Sequence, residues 1–196
     1  MGLPAIVQAG HPVLRESARE VDKDQVQSAD IQRLISTMVE VMRDAPGVGL
    51  AAPQIGVPLR VIVLEDRPEY MERQPPERLA ERERTPLPLR VIINPELELL
   101  GSATATFFEG CLSVVGYMAL VERRLEVEVR GLDEHGKGVR WRTRGWPARI
   151  LQHEVDHLDG TLYVDRMITR SLCCNDEVAQ RWLNAPVDEV RGGLRC

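Results

Sequence analysis

Gln152-His153-Glu154-Val155-Asp156-His157 is the stretch on which the rest of the chain is read. It carries two imidazoles four residues apart, with a glutamate directly after the first. On an α-helix, positions i and i+4 lie one above the other on the same face. One divalent metal ion can therefore take both nitrogens, and the glutamate at i+1 can reach a water beside it. This is the H-E-x-x-H arrangement of metal-dependent hydrolases. The bland alternative is a pair of surface histidines on a charged helix. The flanks predict a helix: Pro147 suits a first turn, Ala148 to Leu158 has no interior Gly or Pro, and Asp159-Gly160 supplies a stop. Ile150, Leu151, Val155 and Leu158 are apolar, so this helix is expected to be buried with its ligands facing an internal cleft.

Working outward, Asp30 to Arg43 reads as an amphipathic helix, with Ile31, Leu34, Ile35, Met38, Val41 and Met42 at the 3.6-residue period. Arg60 to Glu65 and Arg90 to Asn94 are short β-rich runs. Between them, Arg67 to Pro88 is rich in Pro, Glu and Arg and reads as a solvated insertion with a short helix near Glu77 to Arg84. Glu122 to Arg130 alternates as a half-buried strand, Asp133 to Gly136 as a hairpin turn, and Val139 to Thr143 as the returning strand. These elements give an α+β fold, with antiparallel or mixed sheets packed around one central metal-binding helix in a single domain. The division expected is a catalytic region over residues 1–170 and a C-terminal tail over 171–196 with one short helix, Glu177 to Leu183.

The chain has 196 residues and a net charge of −5, with 43% hydrophobic and 28% charged residues. No basic stripe is present, which argues against nucleic acid as a ligand. No apolar run approaches the roughly 20 residues needed to span a bilayer. Met1 to Gly10 lacks a secretory pattern. The expectation is a bacterial cytoplasmic protein or, where a leader has been removed, one of a mitochondrial or plastid matrix. Cys111, Cys173, Cys174 and Cys196 do not form a disulfide framework, which suits a reducing compartment.

Two histidines do not complete a catalytic site, which usually takes three protein ligands and leaves one position open. No His follows His157. Upstream stands Glu109-Gly110-Cys111-Leu112-Ser113, where a thiolate could complete a Cys/His/His set. Taken alone, Cys111 reads more readily as an inert buried thiol than as a ligand. A third segment, Gly47-Val48-Gly49-Leu50-Ala51-Ala52-Pro53-Gln54, is Gly-rich and ends in an amide that could donate to an oxyanion.

Together the three segments resemble the peptide deformylase family, which carries GxGLAAPQ-like, EGCLS and QHExDH motifs in this order. The resemblance covers roughly Ile6 to Met167, and Pro53 to Glu65 and Phe107 to Val114 look like the organelle-type enzymes of plants, a pattern that bacterial relatives share. It implies removal of the N-formyl group from formyl-methionine on nascent polypeptides, with release of formate. It implies one divalent metal ion on Cys111, His153 and His157, natively Fe²⁺, with Zn²⁺, Ni²⁺ or Co²⁺ able to substitute. Glu154 would be the general base, and Gln54 and the N–H of Leu112 the oxyanion donors. Substrate would lie against Val48, Gly49 and Gly110. Trp146 and Ile150 would wall the methionine side chain, with Phe107 or Phe108 as a further wall and Phe108 read by preference as plain core, and Arg149 would lie along the rim with its charge in solvent. Glu109 would orient the Cys111 loop or Gln54. Asp156 has two readings, a hydrogen bond to a ligand imidazole or an exposed helix acid. The tail offers no basic arm, so any ribosome contact would be transient. Two rivals stand beside this reading. A zinc-type endopeptidase would need a different third ligand. A structural metal module would need a fourth ligand and leave Glu154 without a task.

Overall fold

The computed structural model describes residues 2–72 and 74–196. One antiparallel sheet holds the molecule together. Its strands are β1 (Gly49–Ala51), β2 (Val61–Asp66), β3 (Leu87–Cys111), β4 (Val114–Leu132), β5 (Gly138–Arg144) and β6 (Cys173–Cys174). They run in the order β1-β2-β3-β4-β5, with β6 added to β4, and every ladder between them is antiparallel. The helices are α1 (Ala29–Asp44), α2 (Pro76–Glu81), α3 (Trp146–Leu158), α4 (Tyr163–Arg166), α5 (Asn175–Glu177) and α6 (Val187–Leu194). No helix among the described residues is long and apolar enough to cross a membrane.

The run Val61-Ile62-Val63-Leu64 is apolar on both faces because both faces of β2 are covered. Val61 and Val63 pack with Ile31, Ile35, Met38 and Met42 of α1, while Ile62 and Leu64 pack with Ala148, Leu151, Val155 and Leu158 of α3. The sheet thus separates two cores. Helix α1 starts where Ser28 accepts a hydrogen bond from the Ile31 N–H, and α3 stops at Gly160, whose φ is +71°.

The two long strands β3 and β4 form a hairpin whose tip carries the Glu109–Ser113 segment. The register ends with Gly110 opposite Met118 and Cys111 opposite Val114, so residues 115–117 bulge out of the ladder. On the far side of the sheet from α1, α3 lies with eleven of its thirteen residues buried. The hairpin tip and the middle of α3 therefore face one another.

The stretch from Arg67 to Pro88 departs from the expected solvated face (Arg73 lies outside the described residues). Its short helix spans Pro76–Glu81, but Arg84 reaches inward to form a bidentate pair with the buried Asp66, at 2.8 and 2.9 Å. Glu83 pairs with Arg144, and Arg82 lies over the rings of Trp146 and Phe107. The segment is a brace on the start of α3. Beyond the short helix expected near Glu177, the chain also forms α6, whose Val190 is buried.

Gly145 caps α3 at φ +68°, and a Cβ there would meet the backbone oxygens of Glu83 and Arg82 at 2.9 and 3.1 Å. Replacing Gly145 with Ala is expected to cost roughly 2–3 kcal/mol, since both the backbone region and the space are unfavourable. Urea unfolding measures this, and a loss below about 0.5 kcal/mol would show that the brace yields freely.

Candidate active site

Helix α3 places His153 and His157 on one face, with their rings edge to face and 5.0 Å apart. Opposite them the β3–β4 tip presents Cys111, whose Sγ lies 3.3 Å from His157 Nε2. One ligand atom from each of Cys111, His153 and His157 lies within 4.8 Å of the others. The donor chemistry, one soft sulfur and two imidazoles, suits a divalent transition metal. His153 is oriented for this, because its Nδ1 is 3.0 Å from Glu109 Oε2 and its other nitrogen is left to face the thiol. Tyr163 stacks along the same ring at 6.4 Å and 18° and donates to the Tyr117 carbonyl at 3.0 Å.

Glu109 has a different task from the one expected. Its carboxylate touches neither the Cys111 loop nor Gln54. It accepts from Arg123 at 3.0 and 2.9 Å, from Arg149 at 2.6 Å and from His153. Burial alone would raise its pKa, but the hydrogen bonds from His153 and Arg123 outweigh that and hold it well below the usual carboxylate range. Arg149 is likewise not on the rim. It is buried, and besides Glu109 it donates to the carbonyls of Val121 and Ala105 at 3.0 and 2.6 Å. Asp156 follows neither of its two readings. It is buried and binds Arg123 at 2.5 Å and Arg166 at 2.6 and 2.7 Å.

Gln54 is held by its own backbone turn. Its Oε1 accepts from the Ala51 N–H at 2.9 Å, which turns Nε2 toward Cys111 Sγ at 3.5 Å and Ser113 Oγ at 3.3 Å. The amide donor thus points at the triad. The Ser113 N–H also donates to the Cys111 sulfur at 3.4 Å. Glu154 is buried, and its Oε2 has no hydrogen-bond partner among the described residues. Burial pushes its pKa up to about 7. A Cβ on Gly49 would overlap this carboxylate, so only glycine leaves the space that Glu154 occupies.

A cleft of about 500 Å³ joins these groups. Val48, Gly49, Gln54, Gly110, Leu112, Trp146, Arg149, Ile150, His153 and Glu154 line it. Phe107 does not. Its ring packs against Trp146 with centroids 6.4 Å apart, and the neighbouring Phe108, expected to be plain core, takes the lining position. Sequence reading missed Arg123, which pairs with Glu109 and Asp156 behind the cleft, and Arg82, Arg84, Asn175, Val178 and Leu183, which line it. For Arg123 a signal existed: it shares the strand parity of Val121, Val127 and Val129, which are buried.

The family profile described as Polypeptide deformylase matches residues 3–172. The chain belongs to the peptide deformylase family. It is 57% identical over 169 residues to peptide deformylase 1A, chloroplastic, of Solanum lycopersicum, covering 86% of this chain and 61% of that protein. It is 51% identical over 177 residues to peptide deformylase 1 of Streptomyces coelicolor, covering 90% of this chain and 79% of that protein. The chain therefore spans under two thirds of the plant deformylase and more of the bacterial one. Mitochondrial relatives are also found. A solved class I type b peptide deformylase from Acinetobacter baumannii, bound to Met-Ala-Ser, superposes with a TM-score of 0.75 at 33% identity. That match covers 85% of this chain and 99% of the other. The α+β architecture is thus the deformylase one.

The Cys111/His153/His157 site rests on a buried charge cluster that balances two carboxylates, Glu109 and Asp156, against Arg123 and Arg149. Arg123→Leu would leave both carboxylates short of a partner, at an expected cost of about 3–5 kcal/mol. Guanidinium unfolding checks this. A loss under about 1 kcal/mol would mean that Arg149 and Arg166 suffice to neutralise the cluster.

Proposed function

We propose that this chain removes the N-formyl group from formyl-methionine at the start of nascent polypeptides and releases formate. The observation that carries the proposal is the Cys111/His153/His157 cluster with an unpartnered, buried Glu154 oxygen beside it, at the base of a cleft lined by apolar side chains. We assign Cys111, His153 and His157 as the ligands of one divalent ion, natively Fe²⁺, with Zn²⁺, Ni²⁺ or Co²⁺ able to substitute. When bound, such an ion supplies Lewis acidity that polarises the formyl oxygen and acidifies a water.

The chain's own residues do the rest. Gly49 to Ala51 is the edge strand of the sheet, and with the Ala51 N–H taken by Gln54 the outward backbone of Gly49 is the part left to pair with an extended peptide, with Val48 and Gly110 alongside. Trp146 and Ile150 receive the methionine side chain, with Phe108 as a further apolar wall. Glu154 takes the proton of the attacking water and delivers it to the departing α-amine. Its buried carboxylate, shifted to about 7, is poised to give that proton back near neutral pH. The Gln54 Nε2–H and the Leu112 N–H donate to the oxyanion that develops on the formyl group. Glu109 fixes the His153 ring by accepting from Nδ1.

Formate release from a formyl-methionyl tripeptide, measured anaerobically with Fe²⁺ or Ni²⁺, is expected and tests the proposal directly. Glu154→Ala should lower kcat by about 10²–10⁴-fold while the metal-to-protein ratio stays unchanged. A metallated wild-type protein that releases no formate would sink the reading. Cys111→Ala should lose the metal, as mass spectrometry would record. Retention of metal and cleavage of internal peptide bonds would instead favour an endopeptidase. Gln54→Ala should cost roughly 3 kcal/mol of transition-state stabilisation, and an unchanged kcat would remove it from the oxyanion site.

A further inference from the structure

One wall of the cleft comes from outside the segment that defines the family. Asn175, Val178 and Leu183 line it, and all three lie beyond residue 172, where the family match stops. This part of the chain is built in. Cys173 and Cys174 of β6 pair with Met118 and Tyr117 of β4. Val178 and Val190 are buried in a cluster with Phe108 and Leu120, against which Met118 and Trp182 pack. Phe108 itself lines the cleft, so the C-terminal segment is anchored through a residue of the site wall.

Facing that segment is the bulge at residues 115–117, which Gly116 permits with φ +88°. Val115, Tyr117 and Leu183 are 71%, 50% and 51% exposed. They are three of the seven large hydrophobic side chains that stand exposed among the described residues, and all three border this one cleft. Exposed apolar residues scattered singly need no explanation, but a group at the mouth of a cleft marks a place for an apolar ligand. The guanidiniums that line the cleft do not serve this group. Arg82, Arg84 and Arg149 all lie over the Trp146 ring. The carboxylates in the lining, Glu109 and Glu154, are buried. The exposed acids next to the wall, Asp176 and Glu177, disfavour an acidic ligand.

We propose that Val115, Tyr117 and Leu183 form an apolar subsite for the two residues that follow the formylated one, and that the segment after residue 172 selects among formylated peptides by it. This rests on the deformylase reading above. An extended peptide advances about 3.3 Å per residue, so these side chains emerge at the cleft mouth once the first has entered the cleft. The selection favours large aliphatic side chains over alanine, and alanine over aspartate. Val115, Tyr117 and Leu183 act in binding only.

The test uses the metallated full chain and three peptide amides, formyl-Met-Leu-Leu, formyl-Met-Ala-Ala and formyl-Met-Asp-Asp. For wild type, kcat/KM should favour Leu-Leu over Ala-Ala by about tenfold, and Asp-Asp should be the poorest. Leu183→Ala and Val115→Ala, on separate elements, should each reduce the Leu-Leu to Ala-Ala ratio about threefold, through KM rather than kcat. Thermal melting checks that each variant is folded, and either folded variant decides the question. A wild-type ratio near one overturns the subsite. So does a ratio that survives both substitutions, including a uniform fall on all three peptides, which would make the wall merely structural. Absence of formate from every peptide with wild type refutes the deformylase reading instead, and takes the subsite with it.

Discussion

The Glu109 carboxylate is the constraint around which the site is arranged. It sits at the hairpin tip, is buried, and accepts from two guanidiniums and from the His153 imidazole. A carboxylate in that position without partners would be protonated or would force the tip open. With them it remains charged and sets the His153 ring. Each donor comes from a different direction: Arg123 from the paired strand, Arg149 from one turn earlier on α3, and His153 from the facing turn. The carboxylate therefore ties the strand that carries the thiol to the helix that carries the imidazoles. Such clusters add little net stability compared with a packed apolar core. What this one adds is position.

The sheet supports the same arrangement at larger scale. Strand β2 is covered by α1 on one face and by α3 on the other, so α3 cannot shift without opening an apolar core. The edge strand β1 runs beside β2 and carries Gly49 directly against Glu154. Three short sequence segments far apart in the chain thus meet because one sheet and one buried helix leave them a single common space.

Much of this was legible in the letters. The spacing of His153 and His157, the Pro147 start and the Asp159-Gly160 stop predicted α3 within two residues of its observed limits. The alternation after Glu122 predicted the second half of β4 and its partner β5, but not that β4 begins at Val114 or that β3 runs on to Cys111. Side-chain partnerships were not legible, because charge on a residue says nothing about which face of a buried element it occupies. Arg149 was expected to seek solvent, yet three acceptors await it inside. The Arg-rich run around Arg82 and Arg84 resembled a solvated face, because neither Asp66 nor Trp146 is near it in sequence. Phe107 and Phe108 differ only in strand parity, and a bulged strand offers no fixed parity from which to choose between them.

The same carboxylate has partners at very different distances along the chain. Glu109 and Arg123 are 14 residues apart within one hairpin, whereas Arg149 is 40 residues and His153 44 residues from Glu109. Loop-closure entropy favours the shorter contact by about 1 kcal/mol. The hairpin can therefore pair its two opposite charges while water still surrounds them. Docking of α3 then removes that water from a pair already made, so neither charge has to enter the interior alone. An ion pair that would be costly to assemble in the dry core has a route by which it is assembled first and dried afterwards.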